Sequence, residues 1–307
     1  MRHHTGRWAF PLVLAALTTG LVAAPAAAAV SPVPAHGVPA QSYVALGDSY
    51  ASGPLIPVQT GQPAGCLRST NNYPAIVGRT LGVPGFQDVS CSGATTENLA
   101  GPQAVTGGEN PPQLDALSED TELVTLTIGG NDIGFSSIIS ECAVRSPQQP
   151  TGAACRDFFT AGGNDQLAER IDATAPKVAA ALEQIGERAP DARVLVVGYP
   201  ALLPDEGPGC FPLVPFSPGD VAYFRETEKR LNAMLADEAD SAGADFVDTY
   251  TPSIGHDMCQ LPGVKWIEGL VPTAPAAPVH PNALGTAGMA AAVVEAVSEE
   301  SVPVLAP

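Results

Sequence analysis

Five short runs of apolar and β-branched residues recur along the chain, at residues 43–46, 86–89, 122–128, 193–197 and 244–247. Several are continuous in polarity rather than alternating, the pattern of strands covered on both faces. Helix-like stretches separate them, at residues 72–81, 167–188, 220–242 and 286–297, and in the last of these Met289, Val293, Val294 and Val297 share one face. Strand alternating with helix predicts an α/β fold, a parallel sheet with helices against both sides. Three connections are long: residues 133–164, 200–219 and 257–285. Connections of that length in a compact domain often line binding sites.

Residues 1–29 read as a segment apart. Arg2 and Arg7 precede an apolar run over residues 10–24 and an alanine-rich end, the layout of a secretory signal peptide cleaved after Ala29. The run is shorter than the roughly 20 apolar residues a membrane span needs. Residues 30–307 are then expected to form one domain outside the cell. The chain carries 14 Lys+Arg against 32 Asp+Glu, a formal net charge of −18. Such a surface repels nucleic acid and anionic membranes, and suits neutral or zwitterionic substrates. Six cysteines, Cys66, Cys91, Cys142, Cys155, Cys210 and Cys259, all follow the leader. In an exported chain that reads as three disulfides, which would hold the long loops in order. No Cys-x-x-Cys pair is present, which disfavours zinc. Sequence does not choose the connectivity; pairing of sequential neighbours is the simplest.

The stretch YVALGDSYASG, residues 43–53, runs from a buried strand straight into Gly47-Asp48-Ser49. In a parallel α/β sheet that turn lies at the carboxyl ends of the strands, where ligands bind. Ser49 there can cap a helix or act as a nucleophile. Three further blocks leave the same edge. CSGATT follows the second strand and supplies Gly93, whose N–H no side chain obstructs. TIGGNDIGF follows the third and supplies Asn131, an amide donor. VHPNALGTAGM puts His280 before the last helix. A serine, a base and several N–H donors at one edge are what acyl transfer needs: the base takes the hydroxyl proton, and the donors hold the tetrahedral oxyanion.

In these four blocks, taken in order, the chain resembles the GDSL, or SGNH, hydrolase superfamily, and most closely its secreted actinobacterial esterases and lipases. The resemblance implies a three-layer α/β/α sandwich on a five-stranded parallel sheet. It implies the bridges Cys66–Cys91, Cys142–Cys155 and Cys210–Cys259. Residue by residue, it implies Ser49 as nucleophile, His280 as base, and an oxyanion hole of Ser49 N–H, Gly93 N–H and the Asn131 amide. No metal or organic cofactor is implied. The α/β-hydrolase elbow GxSxG is absent around Ser49.

Two positions depart from the superfamily pattern. Tyr50 stands where the superfamily name has leucine, at a packing position. Ala277 stands where an aspartate three residues before the histidine is usual, so a backbone carbonyl near Ala277 or Pro278 is expected to orient His280, with Asp257 as the alternative acid. His256 is expected to pack beside a disulfide, and His36 to be solvated. Asp48 and Asp132 are expected to hold turns through backbone hydrogen bonds. Apolar residues of the late loops, Trp266, Ile267, Leu270 and Val271 with Phe211, Leu213, Val214 and Phe216, form either an acyl groove or small satellite cores. The expectation is a secreted, monomeric carboxylester hydrolase acting on fatty-acyl, glyceride or phospholipid esters. The alternatives are deacylation of polysaccharide or a non-catalytic binding module.

Overall fold

The structure, a computed structural model, describes residues 40–299. The expected leader 1–29, His36 and the tail after Glu299 lie outside the described residues. All five apolar runs form strands: β1 (Ser42–Gly47), β2 (Gly85–Asp88), β3 (Leu123–Thr127), β4 (Arg193–Val197) and β5 (Asp245–Val247). They make one parallel sheet in the order β2-β1-β3-β4-β5. β3 is buried along its whole length and β1 along all but Ser42, which explains their unbroken apolar character. The two polar residues facing inward from β3 are matched by tyrosines, Tyr43 to Thr125 at 2.7 Å and Tyr73 to Thr127 at 2.9 Å.

Five longer helices accompany the sheet: α1 (Tyr73–Leu81), α2 (Phe135–Arg145), α3 (Gln166–Arg188), α4 (Pro218–Ala242) and α5 (Ala283–Glu299). α1 packs with α5, and α3 packs with α4, giving the two outer layers of an α/β/α sandwich. Local chemistry sets their ends. The Asn72 side chain accepts from Ala75 N–H, and Asp165 accepts from Leu167 and Ala168, each capping a helix start. α4 begins on Pro218 and ends at Gly243 in the left-handed region. Because β1 lies inside the sheet, the chain leaves it toward β2 on one side and returns to β3 on the other. The carboxyl ends of β1 and β3 therefore border the switch-point crevice of a doubly wound sheet.

One element departs from the expectation. The connection 133–164 contains α2 and a short helical segment, Ala154–Phe159, rather than loop alone. Ser136, Ser137 and Ser140 are weak helix formers, and the helix buries only Ile138, Ile139 and Cys142, so its periodic signal is faint. Tertiary links hold it instead. Cys142 is joined to Cys155, and buried Asp220 of α4 accepts from the N–H groups of Cys155 and Arg156. The other bridges, Cys66–Cys91 and Cys210–Cys259, tie the connections after β1 and β4 to those after β2 and β5. These are the pairs the resemblance implied.

Candidate active site

The site begins where β1 ends. Gly47 has φ +141°, and a Cβ there would lie 2.5 Å from the Thr127 carbonyl oxygen, so only glycine fits between β1 and β3. The Gln113 amide seals this strand end from both sides: Gly47 N–H donates to its Oε1 at 2.7 Å, and its Nε2 donates to Gly47 O at 2.9 Å. Asp48 N–H donates to Thr127 O at 2.9 Å. The Asp48 carboxylate then caps the helical turn Ser49–Ser52 by accepting from Tyr50 N–H at 2.8 Å. Ser49 is thus the first residue of the turn and not its cap. Its N–H has no acceptor within the turn, and its hydroxyl is free to point elsewhere.

That hydroxyl meets His280. The distance from Ser49 Oγ to His280 Nε2 is 2.7 Å, across 231 residues of chain. His280 Nδ1 lies 2.7 Å from the Pro278 carbonyl oxygen. A carbonyl only accepts, so Nδ1 carries the proton and Nε2 is left as an acceptor for the serine O–H. The orienting group is therefore Pro278 and not Ala277, whose N–H donates instead to Pro54 O at 3.0 Å. Val279, in the left-handed region at φ +61°, turns the chain so that the Pro278 carbonyl faces the ring two residues on. Tyr50 steadies the same segment: its hydroxyl donates to Val279 O at 2.7 Å, and its ring lies 5.0 Å from the imidazole. The Tyr50 position is more than packing, a contact no local pattern announced. Asp257 does not reach His280; its buried carboxylate accepts from Cys259 N–H and the Gln260 amide.

Of the expected donors, Asn131 lines the same cleft as Ser49, and Gly93 precedes Ala94, to which the Asn131 amide is bonded. Gly93, at φ +79° and exposed, has an N–H with no protein acceptor among the described residues. Asn131 shares the cleft with Ser49 and spends one amide N–H on Ala94 O at 2.8 Å, which fixes the plane of the amide and leaves the second N–H. Asp132 spans two blocks, accepting from Thr96 N–H and Oγ1, and so locks the turn after β3 to the segment after Gly93.

An apolar cleft opens beside Ser49. Its walls are Ile133 from the turn after β3, Phe135 and Ile138 from α2, Tyr199 and Leu202 after β4, and Phe224, Thr227, Glu228 and Leu231 of α4. None of the late-loop residues singled out from sequence lines it. Ile267, Val214 and Phe216 are core, Leu213 and Val271 are exposed, and Trp266 stacks on His256 at 4.6 Å. His256 donates Nδ1–H to Val264 O at 2.6 Å and packs as expected. The cleft residues were hidden because they come from separate elements that read as ordinary helix and core positions.

Burial displaces several titratable groups around Ser49, His280 and Asp48 among them. Burial lowers the His280 pKa below the ordinary imidazole value, against the opposing effect of the Pro278 carbonyl. Burial pushes the Asp48 carboxyl up to about 7, despite bonds from the Tyr199 hydroxyl at 2.6 Å and from Tyr50 N–H. A base acts only when neutral, so activity should fall as pH drops through the His280 pKa. The acid limb of kcat/KM is therefore expected below the ordinary imidazole range. It should persist in Asp48→Asn; a limb that vanishes with that substitution would assign it to the carboxyl instead.

Comparison with known proteins agrees with this fold. Residues 45–287 match the model of the GDSL-like lipase/acylhydrolase family. Lipase 2 of Streptomyces coelicolor is 40% identical over 281 residues, covering 89% of this chain and 90% of that protein. The crystal structure of phospholipase A1 from Streptomyces albidoflavus NA297 superimposes with a TM-score of 0.70 at 26% identity, over 84% of this chain and 99% of that one. The extracellular lipase of Streptomyces rimosus gives a TM-score of 0.67 at 29% identity, over 84% and 100%.

Proposed function

This chain belongs to the GDSL-like lipase/acylhydrolase family and is a carboxylic ester hydrolase, and from that premise we propose that it cleaves fatty-acyl esters outside the cell through a Ser49–His280 dyad. The observation that carries the reading is the pair of 2.7 Å contacts of His280, one to Ser49 Oγ and one to Pro278 O. In the proposed reaction Ser49 Oγ attacks the ester carbonyl while His280 Nε2 takes its proton. Negative charge on the former carbonyl oxygen is held by Ser49 N–H, Gly93 N–H and the free Asn131 N–H. The tetrahedral species collapses, the C–O bond to the alcohol breaks, and His280 returns the proton to the departing oxygen. Water, deprotonated by His280, then attacks the acyl-serine carbonyl; the acyl C–Oγ bond breaks, and His280 returns the proton to Ser49 Oγ as the acid leaves. The Pro278 carbonyl supports the imidazolium by accepting its Nδ1–H, in place of a side-chain acid.

The acyl chain is assigned to the apolar cleft, whose walls begin at Ser49 and Asn131. Glycerides and zwitterionic phospholipids suit the strongly acidic chain better than polyanions do. Export is supported by the three disulfides and by similarity to an extracellular lipase. Among the described residues, no helix is long and apolar enough to cross a membrane. The test is hydrolysis of p-nitrophenyl esters from acetate to palmitate, with a fluorophosphonate probe used to label the reactive serine. Turnover of the esters, with label recovered on the Ser49 peptide, is expected. A folded protein that hydrolyses none of them, or that is labelled at another serine, would sink the reading.

A further inference from the structure

One group in the cleft wall has no part in the reaction. Glu228 sits on α4 one turn from both Phe224 and Leu231 and is 8% exposed. Its Oε2 accepts the Leu202 N–H at 3.1 Å. Its Oε1 is buried without a hydrogen-bond partner among the described residues. Ser52 Oγ, Gln103 Oε1 and Asn110 Nδ2 are orphaned in the same way, but only Glu228 belongs to the cleft that Ser49 lines. Burial holds its carboxyl well above the ordinary carboxylate range, with the Leu202 N–H and Lys229 offsetting only part of this. Burial thus favours the uncharged form of this side chain. One carboxyl oxygen is taken by a backbone N–H, and the other, on a residue that lines the cleft, is left without a bond.

We propose that Glu228 is a specificity-determining residue whose free Oε1 hydrogen-bonds a hydroxyl substituent on the acyl chain, so that the enzyme prefers a hydroxyacyl ester over the plain alkanoyl ester of equal length. The proposal rests on the reading that the cleft holds the acyl chain. An all-alkyl chain leaves the buried Oε1 unpaired, and a site that hydrogen-bonds a substrate hydroxyl disfavours the analogue lacking it. A hydroxyl fits better than an ammonium group, because burial opposes the ionised carboxylate that a cation would require.

The experiment compares kcat/KM for p-nitrophenyl decanoate with that for its monohydroxy isomers, the hydroxyl moved along the chain. Wild type is expected to favour one isomer over decanoate by about 10-fold or more. Glu228→Gln keeps an acceptor for Leu202 N–H and a donor toward the cleft, and should retain the preference. Glu228→Met should abolish it, so that decanoate and all its monohydroxy isomers react at similar rates. Ile138→Trp, on α2 in the same cleft lining, separates the two readings by narrowing the cleft. If it leaves the chain-length profile unchanged in a folded enzyme, the acyl-cleft reading fails. If it shifts the profile toward short chains, yet wild type discriminates among no isomers or Glu228→Met keeps the same preference, the role of Glu228 is overturned. The wild-type comparison decides the matter even where the methionine variant does not fold.

Discussion

Ser49→Ala and His280→Ala are each expected to lower kcat by about 10⁴- to 10⁶-fold, and the double variant to be no worse than either alone. In the proposed reaction the two side chains, 2.7 Å apart, act as one proton-transfer unit, so removing either would leave only cleft binding and the proposed oxyanion donors. The same argument predicts what will not matter. Ala277→Gly removes a methyl group and keeps the N–H bonded to Pro54, and the Nδ1 acceptor is the Pro278 carbonyl. Its kcat should stay within about 3-fold of wild type, since no charge or hydrogen bond is lost. Steady-state rates on one soluble ester, with thermal unfolding to verify folding, read all four variants. A collapse in Ala277→Gly with folding intact would mean that His280 is oriented by something other than Pro278.

Asn131→Ala should cost about 10²- to 10³-fold in kcat with little change in KM, because the lost donor acts on charge that develops only in the transition state. The amide is held in plane by its bond to Ala94 O at 2.8 Å, so its second N–H needs no reorientation when the oxyanion forms. Gly93 and Ser49 offer main-chain N–H groups, which no ordinary substitution removes, and they should sustain the residual rate. If Asn131→Ala instead raised KM and spared kcat, the amide would be a ground-state binding group and the proposed oxyanion hole would lose its side-chain member.

Those residues were legible because their signals are local. A strand covered on both faces must be apolar throughout, so residues 43–46 and 122–128 announced the central strands β1 and β3. A turn pressed against the neighbouring strand must be glycine, so Gly47 marked where the sheet edge begins. The faint α2 was not legible, because its order comes from the Cys142–Cys155 bridge and from Asp220 on another helix. Nor was the cleft: the late-loop residues, open from sequence between acyl groove and satellite core, went to core or surface, while Ile133, Leu202 and Phe224 converged from elements far apart in sequence.

By itself the sequence determined the alternating α/β architecture, the pairing of turn chemistry with strand ends, and the residue types that reach the carboxyl edge of the sheet. Each of these follows from periodicity, glycine geometry or side-chain chemistry within a few neighbouring positions. Only the tertiary structure decided which carbonyl meets His280, since that hangs on a positive φ at Val279 and a tyrosine hydroxyl from 229 residues away. It alone left one oxygen of Glu228 unpaired in the cleft wall. Hydrogen bonds between distant segments have no periodic signature, because the partner is chosen by how the whole chain packs and not by its neighbours in sequence.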